Sequence, residues 1–122
     1  MIGYVCIGTN DLAHAARFYD ELLSLLGAKR AWESDRAIAW STSSDGPSLI
    51  LIKPFDGKSA TAGNGNMAAL AATSTAMVDA VYNKAIALGG KDAGPAGRRS
   101  DDFYAGFFRD PEGNKLSVFY SG

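Results

Sequence analysis

Few residues in this 122-residue chain could do chemistry: it has one histidine and one cysteine. His14 shares a helical face with Arg17 and Glu21, away from the apolar stripe, and reads as a solvated surface histidine. Cys6 lies in a short β-rich run without a nearby histidine or helix start to lower its thiol pKa, so it reads as a small hydrophobe lining a cavity. The sequence has no Ser-His-Asp set, no Walker loop, no GxGxxG and no Cys-His cluster. General-base work would fall to a carboxylate or a tyrosine, with Asp101 and Asp102 ahead of a strand. No catalytic residue is assigned.

Aromatic, hydroxyl and thioether groups remain. The two-residue strand period puts Tyr4 and Cys6 on one face, and Met67 and Ser117 on the inward side of their own strands. Trp40, Tyr104 and Phe107 add rings. These seven residues form the candidate ligand-binding set, suited to stacking an apolar or aromatic small molecule with a few hydrogen bonds. The competing reading is that the same rings simply fill core space. Arg98 and Arg99, in a predicted loop from Ala93 to Asp102, are candidate contacts for a carboxylate or phosphate.

The elements that must position these residues occur twice. Shifted by 63 positions, Tyr4-Val5-Cys6-Ile7 falls on Met67-Ala68-Ala69-Leu70, Tyr19 on Tyr82 and Gly27 on Gly90. Shifted by 67, Asp45-Gly46 falls on Glu112-Gly113 and Trp40 on Phe107. A duplicated unit of about 55–60 residues follows. In the first copy, strand Ile2–Ile7 precedes a helix capped by Asp11 and striped by Leu12, Ala15, Tyr19, Leu22 and Leu26. Gly27 ends that helix, and strands Ala31–Glu33, Ala37–Ser41 and Ser48–Lys53 follow. Pro54 to Asn66 reads as a linker. The second copy runs from strand Met67–Ala72 through a helix capped by Ser74 or Thr75 to strands Phe103–Arg109 and Lys115–Tyr120. The expected fold class is α+β: two βαβββ modules, 1–56 and 64–122, forming a curved mixed sheet with helices outside and a cavity inside, one domain over 1–122.

Composition narrows the function classes. Nearly half the residues are apolar and the net charge is −1, which leaves no field for a nucleic-acid backbone. A lone cysteine forms no internal disulfide and suits a reducing compartment. The chain opens on a strand-like run without a charged leader or long apolar segment, so no membrane partner is expected and a cytoplasmic location is.

Residues Met1-Ile2-Gly3-Tyr4-Val5, Asp11-Leu12 with Arg17-Phe18-Tyr19, and above all Arg109-Asp110-Pro111-Glu112-Gly113-Asn114-Lys115-Leu116 carry a family likeness. The chain resembles the vicinal oxygen chelate superfamily of glyoxalases, bleomycin and fosfomycin resistance proteins and extradiol dioxygenases. The resemblance implies one metal ligand from the first strand and one from the last strand of each module, drawn from His, Glu and Gln. Here those positions hold Tyr4, Ile50, Met67 and Ser117, a poor set for a hard cation. No metal and no cofactor is therefore expected.

Three functions compete. The first is a metal-free protein holding a small apolar or aromatic ligand in the sheet cavity, like the resistance members. The second is a metal-dependent glyoxalase-type lyase or dioxygenase with non-standard ligands. The third is a non-catalytic interaction or regulatory module. The resemblance also implies a homodimer.

Overall fold

Local chemistry starts both helices. The Asp11 carboxylate accepts from the backbone nitrogen of His14 at 3.1 Å, and Ser74 Oγ accepts from that of Met77 at 3.1 Å. In the computed structural model, which describes residues 1–122, Met1–Ala62 and Gly63–Gly122 form two compact units.

The first unit runs β1 (Tyr4–Gly8), α1 (Leu12–Ser24), β2 (Lys29–Glu33), β3 (Ala37–Ser41) and β4 (Ser48–Ile52). Its sheet has the order β1-β4-β3-β2, with β1 parallel to β4 and the other pairs antiparallel. Helix α1 buries Ala15, Ala16, Phe18, Tyr19, Leu22 and Leu23, each large side chain contributing about 1.5–3 kcal/mol. Gly27, at φ +80°, turns the chain after the helix in the left-handed region. No helix or strand lies between Ile52 and Ala68. Part of that segment is tied to the first unit: Asn10 donates to the Ala60 carbonyl at 3.1 Å and accepts from its nitrogen at 2.7 Å.

The second unit repeats the order with β5 (Ala68–Ala71), α2 (Thr75–Ala87), β6 (Lys91–Ser100), β7 (Phe103–Arg109) and β8 (Lys115–Ser121). Its sheet order is β5-β8-β7-β6, again with one parallel pair, β5 with β8. Two mixed four-stranded sheets, each with one helix on one face, make this an α+β fold of two βαβββ modules.

One expected loop is a strand. Residues 93–100 belong to β6, an edge strand paired with β7. Its glycines and proline read as loop, yet they occupy irregularities that an edge strand accommodates: the ladder shifts register between Asp92 and Gly94 and again before Gly97.

The closing hairpin explains its own sequence. Asp110 is 3% exposed and its carboxylate accepts from the nitrogens of Glu112 (3.0 Å) and Asn114 (2.8 Å) and from Asn114 Nδ2 (2.9 Å). Gly113 takes φ +99°, a conformation that excludes most side chains.

Candidate functional site

Each sheet has a helix-packed face and an opposite face, and contacts to the helices tell them apart. In the first module the Trp40 indole nitrogen donates to Asp20 Oδ1 at 2.9 Å, and its ring lies 5.8 Å from that of Tyr19. Trp40 pairs with Leu49, and Ile38 with Leu51, so these residues share the face packed on α1. Tyr4, Cys6, Ala39 and Ile50 fall on the opposite face, where Ala37, Ala39, Ile50 and Ile52 cluster. Tyr4 is 65% exposed and Cys6 is exposed.

In the second module Tyr104 donates to Asp79 on α2 at 2.7 Å, and a Cβ placed on Gly106 would meet the Tyr82 ring at 3.1 Å. Even-numbered residues of β7 therefore face α2. Phe103, Ala105 and Phe107 turn the other way, with Ser117 and Phe119 of β8 and Ala69 and Ala71 of β5. Phe103 and Phe119 stack there at 5.7 Å between centroids. Met67 stands just before β5, in step with Ala69, and is 45% exposed.

Two expected placements are corrected. Trp40 and Tyr104 lie on the helix-packed faces, not on the faces of Tyr4 and Ser117. The cause is one residue of hairpin length. The pair Cys6/Ile50 corresponds to Ala69/Ser117, at offsets of 63 and 67, but Ala39 opposite Ile50 corresponds to Phe107 opposite Ser117, an offset of 68. Trp40 is thus the counterpart of Phe108, and a one-residue slip reverses the face. Tyr104 and Phe107, of opposite parity on a regular stretch of β7, never share a face.

The arginine pair divides the same way. Arg98 lies over the Tyr104 ring at 5.6 Å, and its Nη1 donates to the Asp101 carbonyl. Arg99 lies over Phe107 at 5.5 Å on the opposite face. Lys115 Nζ is also 5.5 Å from the Phe107 centroid. Lys115 was missed as a candidate, although its spacing of two from Ser117 would have found it. Trp32 was missed too. It pairs with Ala39 because the β2 ladder shifts register between Arg30 and Trp32, which breaks the alternation. His14 is exposed, 3.3 Å from Arg17 Nη2.

Polar chemistry concentrates on the helix-packed faces. Arg30 meets Asp20 at 2.7 Å and Glu33 at 3.2 Å. The Arg30 hydrogen bond, helped by that from Trp40, lowers the Asp20 pKa against the effect of burial, and its acid partner raises that of Arg30. Tyr82 donates to Asp92 at 2.7 Å, which raises the phenol and lowers the carboxyl, the Gly94 nitrogen adding to the latter. Tyr104 is likewise raised by Asp79. A groove of about 530 Å³ runs on the α1 side of the first module past Asp11, Ala16, Arg30, Ile38 and Lys53. None of the seven expected ligand-binding residues lines it.

With this geometry in place, the chain belongs to the glyoxalase/bleomycin resistance protein/dioxygenase superfamily, whose family model matches residues 1–118. It is similar to a glyoxalase/bleomycin resistance protein from Albidiferax ferrireducens T118, at 34% identity over 100% of this chain and 99% of that one, TM-score 0.90. A glyoxalase-related enzyme from Fulvimarina pelagi shares the fold at 20% identity, covering 99% of this chain and 88% of that one, TM-score 0.77. So does a lactoylglutathione lyase from Agrobacterium tumefaciens, at 19% identity, covering 98% and 92%, TM-score 0.69. No curated protein matches the sequence.

The metal implied by the superfamily does not fit the residues present. Tyr4 and Ile50 in the first module and Ser117 in the second stand on the faces opposite their helices, and Met67 is in step with Ala69 beside Ser117, but the four hold no imidazole and no carboxylate. No group of three or more His, Cys, Asp or Glu side chains converges anywhere in the chain.

Proposed function

We propose that this superfamily member is a metal-independent small-molecule binding protein, taking an apolar or aromatic ligand on the sheet face opposite α2. The supporting observation is the character of that face. It carries the stacked Phe103 and Phe119, the Phe107 ring and Ser117, and the positions that would hold a metal carry no adequate donors.

Elemental analysis of the purified protein, run beside a thermal-shift screen of small aromatic compounds, tests the reading. The expected result is a ligand-dependent rise in melting temperature without a stoichiometric divalent metal. One bound equivalent of zinc, iron, manganese or nickel, with loss of the ligand shift on chelation, would overturn it in favour of a metal-dependent lyase or dioxygenase.

We infer in addition that the chain forms a homodimer. β1 and β5 are edges of their own sheets, and apolar side chains beside them are exposed: Ile2 at 61%, Tyr4 at 65% and Met67 at 45%.

A further inference from the structure

On the second module's sheet face opposite α2, two cations converge on one ring. The Arg99 guanidinium and the Lys115 ammonium each lie 5.5 Å from the centre of Phe107. Neither is ion-paired with a carboxylate, and Asp92, the one acid on β6, bonds Tyr82 on the helix-packed side. The arginine is held in place, its Nη1 donating to the Gly97 carbonyl at 2.9 Å and its Nη2 to the Pro95 carbonyl at 2.6 Å. Two of its five N–H donors are used, leaving three on a guanidinium whose direction is already set. A fixed donor fork lowers the ordering cost of capturing an oxyanion.

The neighbouring surface is aromatic. Phe119 is two residues along β8 from Ser117, which pairs with Phe107, so the Phe103/Phe119 stack begins about 7 Å along the strand from the Phe107 ring that the two cations flank. That span matches a single aromatic ring carrying an acidic group on a short arm.

We propose that the ligand is a small aryl oxyanion, its acidic group held by Arg99 and Lys115 and its ring lying against Phe103 and Phe119. This rests on the reading of that face as a ligand surface and adds the charge and size of the ligand. Arg98, with its guanidinium over Tyr104 on the other face, takes no part.

Titration calorimetry with phenylacetate, phenyl phosphate and uncharged phenylacetamide tests it. The better anion is expected to bind about tenfold more tightly than the amide, a difference that shrinks between about 50 and about 500 mM salt. Arg99→Gln and Lys115→Gln should each weaken the anion by about 5- to 10-fold and leave the amide unchanged. The order of the two anions assigns the group as carboxylate or phosphoryl. Equal binding of anion and amide, insensitive to both substitutions, would overturn the oxyanion and leave the aromatic-ligand reading standing. Binding of none of the three would overturn both. Should Arg99→Gln fail to fold because its carbonyl contacts are lost, Lys115→Gln, whose ammonium holds no such bond, carries the test alone.

Discussion

The Trp40 indole nitrogen donates to the Asp20 carboxylate at 2.9 Å, joining β3 to α1. The same carboxylate receives two bonds from Arg30, so one acid on the helix holds two strands of the sheet. The ring that sequence spacing would send towards a ligand thereby becomes part of the helix–sheet core.

Replacing Trp40 tests this directly. Trp40→Ala should cost about 3–5 kcal/mol, the range for removing a large buried aromatic. Trp40→Phe should cost less but leave Asp20 one donor short. Urea denaturation measures both. Neither variant that remains folded should change ligand affinity, because the ring is packed against α1 of the first module while the proposed surface belongs to the second module's sheet.

Acid stability should report the Asp20 cluster. Its pKa is lowered in the folded chain, chiefly by Arg30, so its stabilisation is complete above the ordinary carboxyl value of about 3.9 and disappears as pH falls towards the lowered folded value. Asp20→Asn should flatten the fall in stability in that acid window. Because the pair is about one-third exposed, the loss at neutral pH should be only about 1 kcal/mol. Denaturation midpoints between pH 2 and 7 give the comparison; an unchanged pH profile would contradict the assignment.

The Asp110 turn should be the more sensitive hairpin. Asp110→Ala removes the acceptor for three hydrogen bonds at a buried position and should cost about 2–4 kcal/mol. Asp110→Asn keeps part of the acceptor set and should cost less. Amide exchange at Glu112 and Asn114 would locate the loss: rapid exchange of both in Asp110→Ala is the expected result.

His14 should be dispensable. Its side chain is exposed, and His14→Ala is expected to change neither melting temperature nor ligand binding. A loss of ligand binding in this variant would mean that the ligand lies on the α1 side.

Sedimentation at low micromolar concentration should give about 26 kDa, twice the chain mass of 12.8 kDa, as an isologous two-fold pair. The monomer mass alone would rule the dimer out.

What could be read from sequence was what neighbouring residues decide. Asp11 and Ser74 cap their helices through bonds spanning three residues, Gly27 and Gly113 adopt conformations available to glycine, and Asp110 builds its turn within four positions. Repetition of those signals was enough for the βαβββ order. The faces were another matter. A single residue in the length of one hairpin sends Trp40 to α1 and its sequence-matched partner Phe107 to the other side, because side chains alternate with a period of two. A glycine-rich stretch became β6 because β7 offered it a ladder, a non-local pairing that local propensity does not encode. The convergence of Arg99 and Lys115 on Phe107 joins residues from three strands, and only the tertiary fold brings them to one face.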